Sequence, residues 1–354
     1  MRMPWDELGD WTGRKVLVTG GAGYLGRHLT KALRHLGATV RVIDVVTPRD
    51  VEGLEVITGD LRDAALVARA VEGCDVVFHT AAIVSLLGIA PKKVHDLVWS
   101  INVTATERVV EACVQGGVRA LVSTSSANVV LDREVTDEDE SAPFATTFVD
   151  IYGKTKVQAE KHVRLANGIG QLRTAVIRPG GIWGPGEGGF MIRAFLDQLA
   201  AGRFVATIGD GKAVVDNTHV DTLVFGELLA ARRLLESPEG VAGEAFFITD
   251  DERLNGIVWF KPIVDGLGYR WPTVRLPGKL MYAIAWMAEV STLLGVPEPT
   301  LTRIGILKLI RTSSVSVSRA RSVLGWRPLW TSPEGIAAHL ADYKAYVDAR
   351  KAGA

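Results

Sequence analysis

The stretch 16–26 constrains the fold of this chain more than any other. It reads Val-Leu-Val-Thr-Gly-Gly-Ala-Gly-Tyr-Leu-Gly, so an apolar, β-favouring run ends in a cluster of glycines. A helical pattern follows at once, with leucine at positions 25, 29, 33 and 36. Strand, glycine turn and helix in this order are the context of a dinucleotide-binding fingerprint. The glycines permit a tight turn and a close approach to a pyrophosphate, and the N–H groups at the helix start attract phosphate.

The glycines fit two overlapping frames, Gly21-x-Gly23-x-x-Gly26 and Gly20-x-x-Gly23-x-x-Gly26, and spacing alone leaves both open. Asp44 ends the next predicted strand, 39–44, and follows Gly26 by 18 residues. A carboxylate there binds the ribose hydroxyls of the cofactor and repels a 2′-phosphate, so the sequence favours NAD over NADP. Arg49 lies near enough to weaken that preference.

Strand and helix patterns alternate through the first half of the chain. Further strands are predicted at 56–60, 76–80, 119–124 and 174–178, and helices at 102–116 and 149–167. This alternation predicts an α/β fold, a Rossmann-type doubly wound parallel sheet over residues 1–184. Residues 185–354 are expected to form mainly a smaller substrate-binding lobe, with some segments returning to the main sheet and a short strand at 204–208. Residues 1–13 are expected to be a poorly ordered lead-in.

The composition excludes several classes of protein. Lys plus Arg equals Asp plus Glu at 40 each, so no global field recruits nucleic acid. Only Cys74 and Cys113 are present, and the start of the chain lacks the apolar core of a signal peptide, which together favour a cytoplasmic protein. The acidic stretch 132–140 is interpreted as a solvated loop, and no metal site is predicted. The sequence leaves open a homodimer.

The stretch 276–310 is unusually rich in apolar residues. Lysine, glutamate and two prolines interrupt it, so no run reaches the roughly 18 residues that a membrane-spanning helix needs. Two interpretations remain open: a packed helical subdomain, or an apolar rim that lies on a membrane or admits an apolar substrate.

Tyr152 and Lys156 are spaced four residues apart on the predicted helix and therefore share one face. A phenol has a pKa near 10, and an adjacent ammonium is expected to lower that pKa and make the phenolate a usable base. Serines close the strand 119–124 and can hold a substrate oxygen. Beside a dinucleotide site, these groups suit hydride transfer from an alcohol to a nicotinamide.

These motifs together resemble the extended short-chain dehydrogenase/reductase superfamily. The similarity includes the glycine loop 19–26, the serine-rich strand end 123–126, Tyr152-x-x-x-Lys156 and the Leu-Gly-Trp-x-Pro motif at 324–328. Within that superfamily, the segments 78–83, 124–130, 178–184 and 216–220 resemble the 3β-hydroxysteroid dehydrogenase/isomerase family, especially bacterial cholesterol dehydrogenases. The resemblance favours the glycine frame that begins at Gly20.

The resemblance also implies a role for each matching residue. Tyr152 would be the base, Lys156 its pKa partner, and Ser126 the hydroxyl that orients the substrate oxygen, with Ser125 as the alternative. The implied cofactor-binding residues are Gly20, Gly23, Tyr24, Leu25 and Gly26 at the pyrophosphate, Asp44 at the ribose, Asp60 and Leu61 at the adenine, Ala81 and Ala82 along the cofactor, and Pro179, Gly181 and Ile182 at the nicotinamide, with Tyr152 and Lys156.

The predicted function is NAD-dependent oxidation of the 3β-hydroxyl of a steroid or sterol to a ketone. Family members also shift a Δ5 double bond to Δ4, a step for which the sequence singles out no residue. One alternative is a sterol-4α-carboxylate 3-dehydrogenase or a β-keto acid reductase, which needs a cation such as Arg193 near the substrate carboxylate. Another is a nucleotide-sugar epimerase or dehydratase, which needs a polar cleft. A catalytically silent relative is disfavoured because Tyr152 and Lys156 are both present.

Overall fold

The computed structural model describes residues 1–48, 52–186 and 189–353, so Arg49 lies outside the described residues. The strands are β1 Lys15–Thr19, β2 Thr39–Asp44, β3 Leu54–Thr58, β4 Val76–His79, β5 Ala120–Thr124, β6 Val135–Glu138, β7 Arg173–Pro179, β8 Gly181–Trp183, β9 Thr207–Ile208, β10 Val214–Val215, β11 Asn217–His219, β12 Glu244–Ile248, β13 Leu254–Asn255, β14 Arg275–Leu276 and β15 Ser313–Val315. The helices are α1 Tyr24–His35, α2 Ala64–Val71, α3 Lys92–Trp99, α4 Ala105–Gln115, α5 Ile151–Leu165, α6 Gly189–Ala200, α7 Val220–Glu236, α8 Lys261–Gly266, α9 Gly278–Ser291, α10 Arg303–Ile310 and α11 Ser332–Ala352.

The central sheet has the strand order β12-β7-β5-β4-β1-β2-β3, and every neighbouring pair is parallel. The order reverses between β1 and β4, which is the switch point where open sheets of this kind bind ligands. β4 and β5 are buried along their whole length, as expected of strands covered by helices on both faces. The predicted α/β Rossmann-type fold is confirmed.

The second half of the chain is joined closely to this sheet. β12 pairs with β7 at the sheet edge, and α7 packs on β5 and β7 beside α1. A smaller sheet, β13-β10-β15-β6, combines strands from both halves. Residues from α6, α8 and α11 bury a separate apolar cluster around Trp183 and Trp259. The second half of the chain therefore shares strands and core with the first half.

The expectation of a poorly ordered lead-in over residues 1–13 is wrong. Leu8 and Trp11 are fully buried in the main core cluster. Trp11 Nε1 donates a hydrogen bond to the Leu8 carbonyl, and Glu7 forms two hydrogen bonds with the Arg327 guanidinium at 2.7 Å each. The segment is ordered because its apolar residues are buried by contacts that are distant in sequence.

Two predicted strands are also displaced or shortened. The strand predicted at 56–60 is observed at Leu54–Thr58. Its last pairing joins Thr58 to Asp44, the final residue of β2, so the two strands end together. The strand predicted at 204–208 pairs only over Thr207–Ile208, because its partner β14 has only two residues.

Candidate functional site

The glycine loop between β1 and α1 has the geometry of a close-packed turn. Gly20 has a φ of +73°, and a Cβ on it would lie 2.8 Å from the Ala81 Cα. A Cβ on Gly26 would lie 2.1 Å from the Gly20 carbonyl oxygen, so both positions exclude any side chain. Gly23 precedes the first turn of α1, which has no side-chain cap. The uncapped start of this helix fits the phosphates of a dinucleotide.

Two acidic residues that are predicted to bind the cofactor lie at the carboxyl ends of the neighbouring strands β2 and β3. Asp44 ends β2, and its carboxylate accepts the N–H of Ala22 at 3.0 Å, which places it against the glycine loop. Asp60 lies just beyond β3, where the Arg62 guanidinium binds its carboxylate and lowers its pKa. Leu61 is buried in the apolar cluster behind the sheet, so its side chain is a core residue.

The remaining predicted cofactor residues lie on three segments around the switch point. Ala81 and Ala82 follow β4 and are partly buried, with Ala81 against Gly20. Pro179 ends β7, and Gly181 and Ile182 begin β8. These segments follow β4 and β7, on either side of β5, so they flank the point where β5 ends.

Tyr24 and Leu25 lie at the start of α1 but point away from the loop. The Tyr24 hydroxyl donates a hydrogen bond to the Pro185 carbonyl at 3.0 Å, linking the glycine loop to the C-terminal lobe. The Leu25 side chain is buried in the main core. The Leu25 side chain is therefore a core residue, and the backbone N–H groups of this first turn would face a pyrophosphate.

Ser126, Tyr152 and Lys156 are brought together at the carboxyl end of β5. The Ser126 hydroxyl is hydrogen-bonded to the Tyr152 phenol. The Lys156 ammonium lies 5.8 Å from the centre of the Tyr152 ring and donates a hydrogen bond to the Thr124 carbonyl at 2.8 Å. The helix α5 begins at Ile151 because Asp150 caps it, accepting the Gly153 N–H at 2.7 Å. The cap fixes the first turn, which carries Tyr152.

Burial is the largest influence on the pKa values of Tyr152 and Lys156. Burial raises the pKa of Tyr152, and the hydrogen bond from Ser126 offsets part of the rise. Burial lowers the pKa of Lys156 to about 8, while the charges of Glu160 and Glu227 oppose this. Desolvation is thus the largest influence on the pKa of the phenol in the protein alone. The expectation that Lys156, together with the positive nicotinamide of the oxidised cofactor, favours the phenolate stays a prediction.

Ser125, the alternative to Ser126, is engaged elsewhere. Its hydroxyl donates to Glu160 Oε2 at 2.7 Å in the protein interior. Glu160 in turn forms a fully buried ion pair with Arg178, with contacts of 2.6 to 3.1 Å. Ser125 therefore belongs to the support beneath the site, and Ser126 faces the phenol.

One neighbour of this site, Asn102, was not predicted from the sequence. Asn102 is buried, and its amide holds both the N–H and the carbonyl of Ile83 while donating to Thr155 on α5 at 3.0 Å. It thereby joins the segment after β4 to the helix of Tyr152. The sequence signal that could have indicated it is a single asparagine next to the apolar residues that begin α4. His79 lies in β4, and its two ring nitrogens are hydrogen-bonded to the hydroxyls of Thr19 and Thr106.

A solvent-open cleft with about 690 Å³ of empty space lies at the start of α5. Asp150 lines it, and so does Asn128, whose N–H donates to the Ser126 hydroxyl at 3.2 Å. Its walls come from the segments 128–153 and 304–313 and carry both apolar and basic side chains. The apolar residues include Leu131, Phe148, Ile304 and Leu307, and the basic residues are Arg133, Lys308 and Arg311. Arg193, the cation considered for a carboxylate substrate, lies exposed on α6 and is not in this wall.

The hairpin of α9 and α10 presents apolar side chains to solvent. The exposed set is Leu280, Ile284, Trp286, Met287, Leu293, Leu294 and Val296, here called the hairpin surface. Leu294 is 85% exposed. Within the described parts of the chain, no helix is both long and apolar enough to cross a bilayer. The described residues also contain no cluster of histidine, cysteine or carboxylate side chains arranged to hold a metal ion.

Comparison with known proteins identifies relatives over most of the chain. A model of the 3-beta hydroxysteroid dehydrogenase/isomerase family matches residues 17–277. The 3 beta-hydroxysteroid dehydrogenase/Delta 5-->4-isomerase of Mycobacterium tuberculosis is 35% identical over 348 residues, covering 95% of this chain and 92% of that protein. The 3-beta-hydroxysteroid dehydrogenase of Mycolicibacterium neoaurum is 36% identical over 341 residues, covering 94% and 92%.

Solved structures extend the similarity to three dimensions. MoeE5, solved in complex with UDP-glucuronic acid and NAD, has 26% identity and a TM-score of 0.71, with 94% of this chain and 99% of that chain covered. The family match, the whole-chain relatives and the shared fold agree with the resemblance that the glycine loop and the Tyr-x-x-x-Lys helix indicate. The chain therefore belongs to the 3-beta hydroxysteroid dehydrogenase/isomerase family, within the extended short-chain dehydrogenases.

Proposed function

We propose that this protein oxidises the 3β-hydroxyl of a steroid or sterol to the 3-ketone with NAD. The observation that carries the proposal is the contact between Ser126 and Tyr152, with the Lys156 ammonium beside the ring, at the switch point next to the glycine loop. When bound, NAD accepts the hydride from C3 and adds a positive charge near the phenol. The relatives that match nearly the whole chain carry names of this activity.

Each residue of the triad has one task in this reaction. Ser126 holds the substrate oxygen by a hydrogen bond and keeps it close to the phenol. Tyr152, as phenolate, takes the hydroxyl proton while C3 loses its hydride, and becomes a neutral phenol. Lys156 contributes the positive charge that favours the phenolate. The strand end beside the phenol is buried, since Thr124, Ser125 and Ser126 are all less than 9% exposed.

We assign the cofactor contacts to the residues that the sequence predicts. Gly20, Gly23 and Gly26 would let the pyrophosphate approach the loop, and Asp44 would bind the adenosine ribose. Asp60 and the backbone of Leu61 would border the adenine. The rest of the cofactor would contact Ala81, Ala82, Pro179, Gly181 and Ile182, with Tyr152 and Lys156 at the nicotinamide end.

The cleft at the start of α5 receives the steroid rings in this proposal. Leu131, Phe148, Ile304 and Leu307 give it apolar walls suited to a hydrocarbon skeleton. One wall is α10, which belongs to the same hairpin as the exposed apolar surface. The rival nucleotide-sugar substrates would need a polar cleft for a diphosphate, and the relatives that match nearly the whole chain are named as steroid dehydrogenases instead.

Turnover of purified protein tests the function. NAD and a panel of 3β-hydroxysteroids should give absorbance of reduced nicotinamide, together with the 3-ketone. The 3α-hydroxy epimers are the matched control and should give little product, because their C3 hydrogen faces away from the nicotinamide. Turnover of a UDP-sugar with no turnover of any steroid would overturn the proposal.

The hairpin surface contacts a lipid bilayer at its edge in this account, without crossing it. Exposed apolar patches of this kind mark interaction sites, and an apolar substrate must come from a lipid phase. Neutral phosphatidylcholine vesicles should co-sediment with the wild-type protein, and a triple variant Trp286→Ser, Leu293→Ser, Leu294→Ser should stay in the supernatant. Equal sedimentation of both proteins would contradict the contact.

A homodimer is the competing use of the hairpin surface. Light scattering without lipid distinguishes lipid contact from dimer formation, because it measures the mass of the protein in solution. A monomeric mass for the wild type and the triple variant supports lipid contact, whereas a dimer that the triple variant dissociates assigns the surface to a second copy.

A further inference from the structure

The Lys156 ammonium is in an environment that opposes its charge. Its Nζ donates one hydrogen bond, to the Thr124 carbonyl, in a buried position. Removing an ammonium from water favours its neutral form unless a negative charge lies nearby. In the proposed function, Lys156 favours the Tyr152 phenolate through that charge, so the identity of its counter-ion matters.

The groups that face Lys156 come from several elements. Tyr152 and Glu160 lie on its own helix, His79 on β4 and Glu227 on α7. His79 is neutral at physiological pH, because burial and the Lys156 charge lower its pKa to about 3. Tyr152 is the group whose phenolate the Lys156 charge favours in the proposed function, so it is not the counter-ion sought. Two carboxylates remain as candidates for the counter-ion.

Glu160 is already neutralised by another cation. Its two oxygens accept hydrogen bonds from the Arg178 guanidinium at 2.6 to 3.1 Å, and both side chains of this pair are at most 1% exposed. The Ser125 hydroxyl donates to the same carboxylate at 2.7 Å. The charge of Glu160 is therefore shared with Arg178, whose guanidinium is its direct partner.

Glu227 is placed differently. It is fully buried on α7, and its Oε1 accepts a hydrogen bond from the Thr124 hydroxyl at 2.5 Å. Its Oε2 has no hydrogen-bond partner among the described residues. Thr124 thus connects the two groups, because its hydroxyl donates to Glu227 while its carbonyl accepts from Lys156. No cation pairs directly with Glu227 within the described chain.

We infer that Glu227 is a positioning residue, the buried counter-ion that keeps Lys156 charged while Tyr152 takes the substrate proton. The inference rests on the proposed function for its catalytic consequence. Its structural basis is independent of the substrate, since it needs only Thr124 between the two side chains. Glu227 touches neither the substrate nor the reacting atoms in this account and acts through Lys156.

The acidities of the two groups set the pH range of the effect. Burial raises the pKa of Glu227 to about 7, with the Thr124 hydrogen bond and the Lys156 charge opposing the rise. The pKa of Lys156 is about 8. Glu227 therefore acquires its charge as the pH rises through about 7, in the range where Lys156 begins to lose its proton. At lower pH the ammonium is charged whether Glu227 is ionised or not.

Glu227→Gln tests the inference because it removes the charge and keeps the shape and the Oε1 acceptor. Glu236→Gln is the matched control, a surface glutamate on the same helix that is paired with Arg232. With saturating NAD and steroid, the alkaline limb of kcat in Glu227→Gln should move to lower pH by about one unit. At pH 8, where Lys156 is about half protonated in the wild type, this gives roughly a fivefold loss of kcat. The two variants and the wild type should agree near pH 6.

Thr124→Val gives a second test, because it removes the hydroxyl but keeps the backbone carbonyl that Lys156 uses. Glu227 then loses the hydrogen bond that favours its charged form, so the limb should move in the same direction by a smaller amount. A purely structural role for either residue would lower kcat by the same factor at every pH, and that result would overturn the inference.

An NMR titration separates this inference from the proposed function. Lysine labelled with 13C at Cε reports the ionisation of Lys156 directly in the NAD-bound protein, with Lys156→Met used to assign the signal. The Lys156 titration should move to lower pH in Glu227→Gln and stay in place in Glu236→Gln. An unchanged titration overturns the inference even if steroids are oxidised. A shifted titration without steroid turnover supports the inference while the proposed function fails.

Discussion

In the proposed reaction the Tyr152 phenol must lose its proton, although its buried position disfavours the phenolate. Burial raises its pKa, and the hydrogen bond from Ser126 opposes that rise within the protein itself. The Lys156 ammonium, 5.8 Å from the ring, favours the phenolate only while it stays protonated. The acidity of one tyrosine therefore depends on a chain of neighbours that ends at a buried glutamate on α7.

Sequence spacing located the triad but left the serine ambiguous. Tyr152 and Lys156 are four residues apart, which fixes their common helix face in any sequence. Ser125 and Ser126 are adjacent, and only the tertiary contact of Ser125 with Glu160 separates them. Glu227 was not predicted, because a single glutamate in a helical pattern gives no sign that the surrounding elements bury it.

Asp44 offers a test of the cofactor preference at the scale of one residue. Asp44→Ala removes the carboxylate that ends β2 beside the glycine loop, and with it the acceptor for the ribose hydroxyls. We expect the KM for NAD to rise about tenfold, while NADP becomes a better substrate because the repulsion of its 2′-phosphate is lost. Initial rates against each cofactor measure this. An unchanged preference would show that Asp44 does not bind the ribose.

Elements whose boundaries depend on local pattern were predicted well. β1, the glycine loop and α1 are contiguous in sequence, and β2 is observed at the predicted residues, Thr39–Asp44. The strand predicted at 56–60 begins and ends two residues earlier, because its pairing with β2 runs from Leu54 to Thr58. Such tertiary contacts have no local sequence signal.

Leu307→Trp tests the cleft formed by α10 and the start of α5. The larger side chain would occupy space that the steroid needs, and overpacking of this kind costs about 1–3 kcal/mol. We expect the KM for the steroid to rise at least tenfold with the KM for NAD unchanged. Leu165→Trp, an exposed position at the end of α5, is the matched control and should leave both constants unchanged. Equal effects of the two variants would place the substrate elsewhere.

The molecule as a whole is held together by contacts between residues far apart in sequence. The N-terminal segment is buried by Trp11 and joined to the C-terminal region through Glu7 and Arg327, although its composition predicted disorder. β12 and α7 return from the second half to the central sheet. A sequence pattern that is read locally cannot show which distant residues supply these contacts.

Glu289 connects the hairpin surface to the catalytic half. Its fully buried carboxylate accepts from the Arg303 N–H at 2.7 Å and Nε at 2.8 Å, and from the Ile89 N–H at 3.2 Å. We expect Glu289→Gln to lower the free energy of unfolding by about 2 kcal/mol, because Arg303 loses its buried partner. Urea denaturation measures this. Glu298→Gln, an exposed residue of the same hairpin, should have no effect, and equal stability of the two variants would refute the connection.

The most direct test of the proposed chemistry follows the hydrogen atom itself. A 3β-hydroxysteroid carrying deuterium at C3 is converted by the wild-type protein, and the recovered cofactor is weighed by mass spectrometry. One deuterium should appear in the reduced nicotinamide for each ketone formed, and Tyr152→Phe should slow the conversion at least about 100-fold while it still binds NAD. Ketone formation without deuterium in the cofactor, or full activity of Tyr152→Phe, would contradict the account.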